Sequence, residues 1–313
     1  MLRWAAIAAV ALLLALLPLY GDAVTIQYGI NALLVAVLAQ AWNILGGFTG
    51  YASFGNSTFY GLGTYGTAIA MAQFGLPFWT GLLLGAALAM LCALLVGIPI
   101  LRLRGPYFAI ATLGLSAALS ALVANLDIAG RNIGLILPLT RNDTLFYEAS
   151  LALLAAATLA VAWLSASRFG MGLIAIREDE DAAAVMGVNT TLYKVVALVL
   201  SALFTAVAGG IHAYWITFID PASAFDSTLN VRMVIMTVFG GPGTVLGPVV
   251  GAFILSAIYE ALASSISTAA ALFFGIVIVL AVIFMPRGLV DLGWGFRRMG
   301  PRYLLETVRQ YRL

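Results

Sequence analysis

The side chains of this sequence that could do chemistry crowd into one stretch. IREDEDAAAVMGVNTTLYK, residues 176–194, sets five charged residues side by side, Arg177 to Asp181, in a chain only 9% charged. Everywhere else the supply is thin. One histidine, His212, and one cysteine, Cys92, are too few for a transition-metal site of the usual ligand number, and a lone cysteine excludes an intramolecular disulfide. A phosphate-cradling P-loop needs Gly-Lys-Ser/Thr, whereas the only lysine, Lys194, follows Thr-Leu-Tyr. One histidine with scattered acids is also a poor set of catalytic groups. The expectation is a protein that catalyses no bond chemistry and holds no cofactor or metal of its own.

The charged stretch reads instead as a shaped element. Glu178, Asp179, Glu180 and Asp181 precede an alanine-rich helix, where acids favour the positive end of the helix dipole by up to about 1 kcal/mol each. Gly187 can end that helix in the left-handed conformation, and Asn189 or Thr190 can cap the next one. A charge run is ordinarily a solvated face. Here the caps on both sides, and the small side chains of Ala182, Ala183 and Ala184, point to a rigid helix over which another protein's groove closes. The residues assigned to that docking are Arg177, Glu178, Asp179, Glu180, Asp181, Ala182, Ala183 and Gly187.

What positions this stretch is a membrane. With 63% hydrophobic residues among 313, the chain departs far from a globular composition and should dissolve in a bilayer, each helical span needing about 20 apolar residues. The expected fold is all-α, a polytopic transmembrane bundle of about ten spans (eight to ten), forming one membrane domain over residues 1–313. The apolar runs are 4–20, 24–45, 54–74, 78–98, 107–124, 145–165, 192–218, 229–239, 245–263 and 268–285. The third is rich in glycine and the eighth is short. The first reads as a retained span, because its apolar stretch is long for a leader and Leu19-Tyr20-Gly21 offers no small-x-small cleavage site. Alternating the spans from a cytoplasmic N-terminus puts Arg3, Arg102, Arg104, Arg168, Arg177, Lys194 and the arginines of the basic tail, residues 287–313, on the inner side. Arg131, Arg141 and Arg232 stay at the outer side, as the positive-inside rule requires. Both termini and the charged loop, residues 176–190, are then cytoplasmic.

Two glycine-rich interruptions break the apolar runs: LGGFTGYASFGNSTFYGLGTYG, residues 45–66, and FGGPGTVLGPVVG, residues 239–251. Such backbone is tolerated at membrane depth only inside protein or beside a watery cavity, and paired interruptions in two halves of a chain point to a translocation site. Glycines that merely let helices pack closely are the alternative. The translocation-path candidates are Gln40, Asn43, Asn56, Ser57, Thr58, Gly240 and Gly241. Glu260 reads as reaching the headgroups from an outer span end, His212 as an interhelical hydrogen-bonding residue, and the tryptophans as interfacial anchors.

Transport against a gradient needs energy, and none of the carboxylates stands clearly at mid-membrane to couple an ion. An external ATPase is the economical source. Asp181-Ala182-Ala183-Ala184-Val185-Met186-Gly187 resembles the Glu-Ala-Ala-x-x-x-Gly motif by which ABC importer permeases dock their ATPases, with Asp for Glu. LRLRGPYFAIATLG (residues 101–114), SRFGMGLIAIREDEDAAAVMGVNTTLYK (167–194) and VFGGPGTVLGPVVGA (238–252) are similar to segments of the permeases of branched-chain amino acid importers of the M type. The resemblance runs from about Asn43 to Gly288. It implies an inner-membrane subunit working with a second homologous permease, two ABC ATPases that use the ATP, and a periplasmic binding protein. No nucleic-acid partner is expected. Three departures leave the substrate open. Gly50-Tyr51-Ala52-Ser53-Phe54-Gly55-Asn56 replaces a Gly-Gln-x-Ser-x-Gly-His run. Leu115-Ser116-Ala117-Ala118 lacks an acid found in relatives, and Ala129–Gly134 replaces a Gly-Pro-Asn-Gly-rich segment. Urea, short amides and aromatic acids, carried by similar permeases, are the alternatives to amino acids, and an ion-coupled secondary transporter is the rival mechanism.

Overall fold

The computed structural model describes residues 17, 18, 20–140, 142–263, 272, 275, 276, 288 and 289. The expected runs 4–20 and 268–285, with Trp4, Trp294 and the basic tail, lie almost wholly outside the described residues. The rest is helical: α1 (Ala23–Trp42), continued by a π-helical turn at Asn43–Gly47, then α2 (Asn56–Ala72), α3 (Phe78–Ile100), α4 (Pro106–Ala124), α5 (Asp143–Ala166), α6 (Arg168–Glu178), α7 (Glu180–Val185), α8 (Thr190–Ile216), α9 (Pro221–Ala224), α10 (Ser227–Gly240) and α11 (Gly247–Ala263). Eight of the ten expected runs fall on these helices. Five helices among the described residues are long and apolar enough to cross a membrane: α1 with its π turn, α3, α4, α5 and α8. α2, α10 and α11 are shorter, at 17, 14 and 17 residues.

The outward sides of the long helices are apolar. Leu83, Leu84, Leu91 and Leu95 on α3, Ile110 and Leu113 on α4, and Leu159 on α5 are all exposed on the chain's surface. Lipid tails are as apolar as leucine, so helices associate in a bilayer through close packing and interhelical hydrogen bonds rather than through hydrophobic burial. The centre of this bundle is built that way. α2, α3 and α8 pack against one another, and a methyl group added at Gly63 would stand 2.1 Å from the Ala206 carbonyl oxygen, one at Gly209 2.4 Å from that of Tyr60. Thr64 Oγ1 donates to Gly209 O at 3.1 Å across the same contact.

The described spans alternate between two ends. One end gathers the π turn, residues 50–55, the α3–α4 turn, α6, α7 and the α10–α11 turn, as their mutual hydrogen bonds show. Gly288 lies against Gly241 at this same end. The opposite end holds residues 125–142 and 217–226. There an unexpected two-residue antiparallel ribbon pairs Leu135 with Ile219 and Ile136 with Phe218. The tryptophans divide. Trp79 and Trp163 are exposed, as interfacial anchors should be, whereas Trp42 is buried and its indole N–H donates to Ser53 O at 2.7 Å. Trp42 is therefore a brace for residues 50–55 and not an anchor.

Candidate functional site

The charged stretch forms two helices where one was expected. Asp179 is extended, with φ −159° and ψ 112°, and separates α6 from α7. Its carboxylate accepts from the Asp181 and Ala182 backbone N–H groups, each at 2.9 Å, and so caps α7. Glu180 and Asp181 occupy the first turn of α7, as the dipole argument requires. Gly187 takes φ +88°, and Asn189 caps α8 by accepting from Leu192 N at 3.1 Å, both as expected.

α7 is held by an ion network that the sequence reading did not assemble. Lys194, in the first turns of α8, is buried, its side chain 4% exposed. Its ammonium donates to Glu180 Oε1 at 2.5 Å, to Leu101 O at 3.0 Å and to the Tyr51 hydroxyl at 3.1 Å. Tyr51 in turn donates to the other Glu180 oxygen. Arg104 grips Asp181 with two hydrogen bonds, at 3.0 and 2.8 Å, and lies 3.8 Å from Glu180. Burial pulls the Glu180 pKa up, but hydrogen bonds from Lys194 and Tyr51 and the charges of Lys194 and Arg104 outweigh it and leave the carboxyl below its usual value. The Arg104 hydrogen bonds hold Asp181 low as well. Tyr51 is pushed up, first by burial and then by Glu180, so its phenol stays a donor. Three separate pieces of chain, residues 50–55, the α3–α4 turn and α8, thus converge on one face of α7.

The other face of α7 is bare. Ala182 and Ala184 are exposed, and Val185 and Met186 stand 88% and 84% exposed at its C-terminal end. Ala183 was assigned to the docking surface, and the structure places it on the inner face, 4% exposed against the chain itself. The exposed apolar surface of this segment is thus that of Ala182, Ala184, Val185 and Met186. Among the assigned charges, Glu178 and Asp181 side chains are open to solvent, Glu180 faces inward, and Arg177 turns towards the bundle, where it donates to Gly47 O at 3.1 Å.

The path candidates are all within the bundle. Gln40, Asn43, Asn56, Ser57 and Thr58 have no exposed surface in this conformation. Gln40 donates to Val245 O at 2.7 Å; Asn43 donates to Thr244 O at 3.0 Å and accepts from Gly243 N at 2.7 Å. The end of α1 is thereby tied to the second glycine-rich interruption, some two hundred residues on, and Gly47 of the first interruption lies against Gly243 of the second. Gly240 and Gly241 form the tight turn from α10 to α11, where a methyl on Gly240 would overlap the Gly247 carbonyl. Deeper in, Asn56 donates to Ser201 Oγ at 3.0 Å, and the Ser57 hydroxyl shares a 2.7 Å hydrogen bond with Ser116. Asn230 of α10 accepts from Ser57 N and donates to Ser57 Oγ, both at 2.8 Å. This polar cluster joins α2, α4, α8 and α10, and within it Asn56 Oδ1 and Thr58 Oγ1 have no hydrogen-bond partner.

Two isolated candidates fall elsewhere. Glu260 lines a recess with Thr25, Tyr28, Asn31 and Tyr147 near the start of α1, at the end remote from α7. His212 sits against the rings of Tyr60 and Trp215, with centroids 5.9 and 5.8 Å away, so its surroundings are aromatic rather than the interhelical polar contact expected. Of the residues missed, Lys194 carried a signal, as the only lysine placed at the start of an apolar run. Tyr51, Arg104 and Ser116 lay in segments that the family resemblance marked, though without their partners, and Ser201 and Asn230 gave no signal, because each matters through a partner distant in the chain.

Comparison with known proteins matches residues 24–283 to the family described as branched-chain amino acid transport system, permease component. The high-affinity branched-chain amino acid transport system permease protein LivM of Salmonella typhimurium is 28% identical over 288 residues, covering 82% of this chain and 67% of the relative. Its Escherichia coli counterpart is 27% identical over 300 residues, covering 86% and 70%. The autoinducer 2 import system permease protein LsrC of Photorhabdus luminescens is 32% identical over 111 residues, 33% of each chain. No solved structure matches the chain.

Proposed function

The chain belongs to the family of branched-chain amino acid transport permease components, multi-pass membrane subunits of ABC transporters, and from that premise we propose that it serves an importer. Its cargo is amino acids, branched-chain or related hydrophobic ones, handed over by a periplasmic binding protein. A second homologous permease completes the membrane unit in the bacterial inner membrane, and two ATPase subunits bind at the cytoplasmic end and use the ATP. α7 is the element they grip, and the end that carries α6 and α7 is the cytoplasmic one.

One observation carries this reading: a short helix with Val185 and Met186 bare at its tip, while its inner face is fastened by Lys194, Glu180 and Tyr51. Large apolar side chains held out on a rigid mount suit a partner's groove, and a water-facing loop gains nothing from them. A helix pinned to three parts of the bundle also passes a push from that partner to all three.

Replacing Val185 and Met186 with aspartate tests the assignment. Neither residue supports the chain's own packing, so the variant should reach the membrane at normal levels. Co-purification of the ATPases should then fall by about tenfold or more, which corresponds to roughly 1.4 kcal/mol of lost docking energy. Leucine uptake by vesicles should drop with it. Normal ATPase capture and normal uptake would refute α7 as the docking element.

A further inference from the structure

The two glycine-rich interruptions have a role that a lining of the passage does not explain. Arg177 closes the last turn of α6, and its guanidinium reaches the junction where they meet, donating to Gly47 O at 3.1 Å. The glycines make room for it. A methyl on Gly50 would lie 2.9 Å from Arg177 Cγ, and one on Gly243 would lie 2.9 Å from Arg177 Nη1 and 3.0 Å from Gly47 O. One on Gly47 would stand 2.6 Å from Gly243 N. Asn43, at the start of the π turn, holds the second interruption through Gly243 N and Thr244 O. Gly241, the residue just after α10, is in turn met by Gly288.

We propose that Arg177 is the positioning residue of a three-way joint that carries movement of the α6–α7 segment into α1 through Gly47 and into α10 and α11 through Gly243. This deepens the reading of α7 as the motor-facing helix and rests on it. The physical basis is stiffness. A guanidinium is planar and always charged, and its donors are fixed in a fork, so it holds a carbonyl at a set distance and direction where a flexible ammonium would not. The π turn at Asn43–Gly47 is the side of the joint assigned to yield, since single π turns interrupt the regular α-helical pattern and are frequent at functional sites. Lys194 and Arg104 hold α7 from one side, and Arg177 is the contact through which its displacement reaches α1, α10 and α11.

The test uses the assembled complex in vesicles, with radiolabelled leucine as the probe and ATP hydrolysis measured in the same sample. Arg177→Gln removes the charge and shortens the reach. Gly243→Ala leaves Arg177 in place, but its methyl displaces the guanidinium and strains a backbone at φ +74°. Both should raise the ATP consumed per leucine carried by about fivefold or more, the scale of a lost coupling between two sites. Arg177→Lys, which keeps one donor for Gly47 O, should fall between Gln and the parent. A merely structural role would lower the amount of complex without changing this ratio. Parental ratios in Arg177→Gln and Gly243→Ala overturn the joint while leaving the functional reading intact. If Arg177→Gln fails to assemble, a parental ratio in Gly243→Ala alone overturns it and a raised ratio supports it. A parent complex in which leucine uptake is independent of ATP overturns the functional reading and this inference together.

Discussion

Lys194 shows how far a single side chain can matter in so apolar a molecule. Its ammonium is almost fully buried and satisfied by three acceptors from three segments, which is the condition under which a buried charge is tolerated. Removing one partner of such a pair leaves the other charge buried alone, at a cost of about 3–5 kcal/mol. Lys194→Met should therefore lower the thermal midpoint of the detergent-solubilised protein clearly, and adding Glu180→Gln should recover part of the loss by neutralising the stranded acid. Equal midpoints for the single and double variants would show that the pair does not act as a unit. The sequence made Lys194 conspicuous but not intelligible: fourteen residues and two caps separate it from Glu180, and Tyr51 is more than a hundred residues away. Ala183 teaches the reverse. Its type suggested a docking surface, but α7 is only six residues long, and which alanine faces the bundle depends on where Asp179 breaks the helix.

At the scale of elements, long apolar runs and caps were legible and contacts between interruptions were not. α1, α3, α4, α5 and α8 match the expected runs closely because a span must keep its backbone hydrogen bonds within the helix, which makes it a local property. α2 is different. Gly55 offers its first turn no side-chain cap, and the amide of Asn230, 173 residues on, accepts from Ser57 N instead. No reading of local residues could find that partner. The attachment of α7 also makes a prediction about acid. Glu180 and Asp181 both titrate below their ordinary values, near 4.3 and 3.9, because cations hold their charged forms. The stabilisation they give is complete above those ordinary values and is lost as pH falls through the depressed ones. Neutral to mildly acid solution should leave the thermal midpoint level in this respect, with a decline only in stronger acid. In Glu180→Gln that acid-side decline should be shallower; an unchanged acid limb would mean that Glu180 does not contribute to it.

For the whole molecule, alternation of spans is the property on which the functional reading turns. Basic residues at one set of loops led to the expectation that the charged stretch and the start of the tail share a side, and the same alternation puts both Gly-Gly pairs there. Among the described residues they do meet at one end, where Arg177, Gly47, Gly243, Gly241 and Gly288 come together. The bilayer constraint that makes helices alternate also made this visible in advance. What stayed hidden is that Gln40, Asn43, Asn56, Ser57 and Thr58 are enclosed by other helices and turns in this conformation, with no surface open to a passage.

The burial of the only lysine has a practical outcome. A chain with one ε-amine, and that amine shut behind Glu180 and Tyr51, should resist acylation by succinimidyl esters at this position while α7 stays seated. Any step of a working cycle that lifts α7 from its mount would uncover the amine, and mass spectrometry of the Lys194 peptide would register it. The protein thus contains a native chemical reporter of that motion, with no introduced label. Uniform modification in resting and turning-over samples would mean that the helix never leaves its seat.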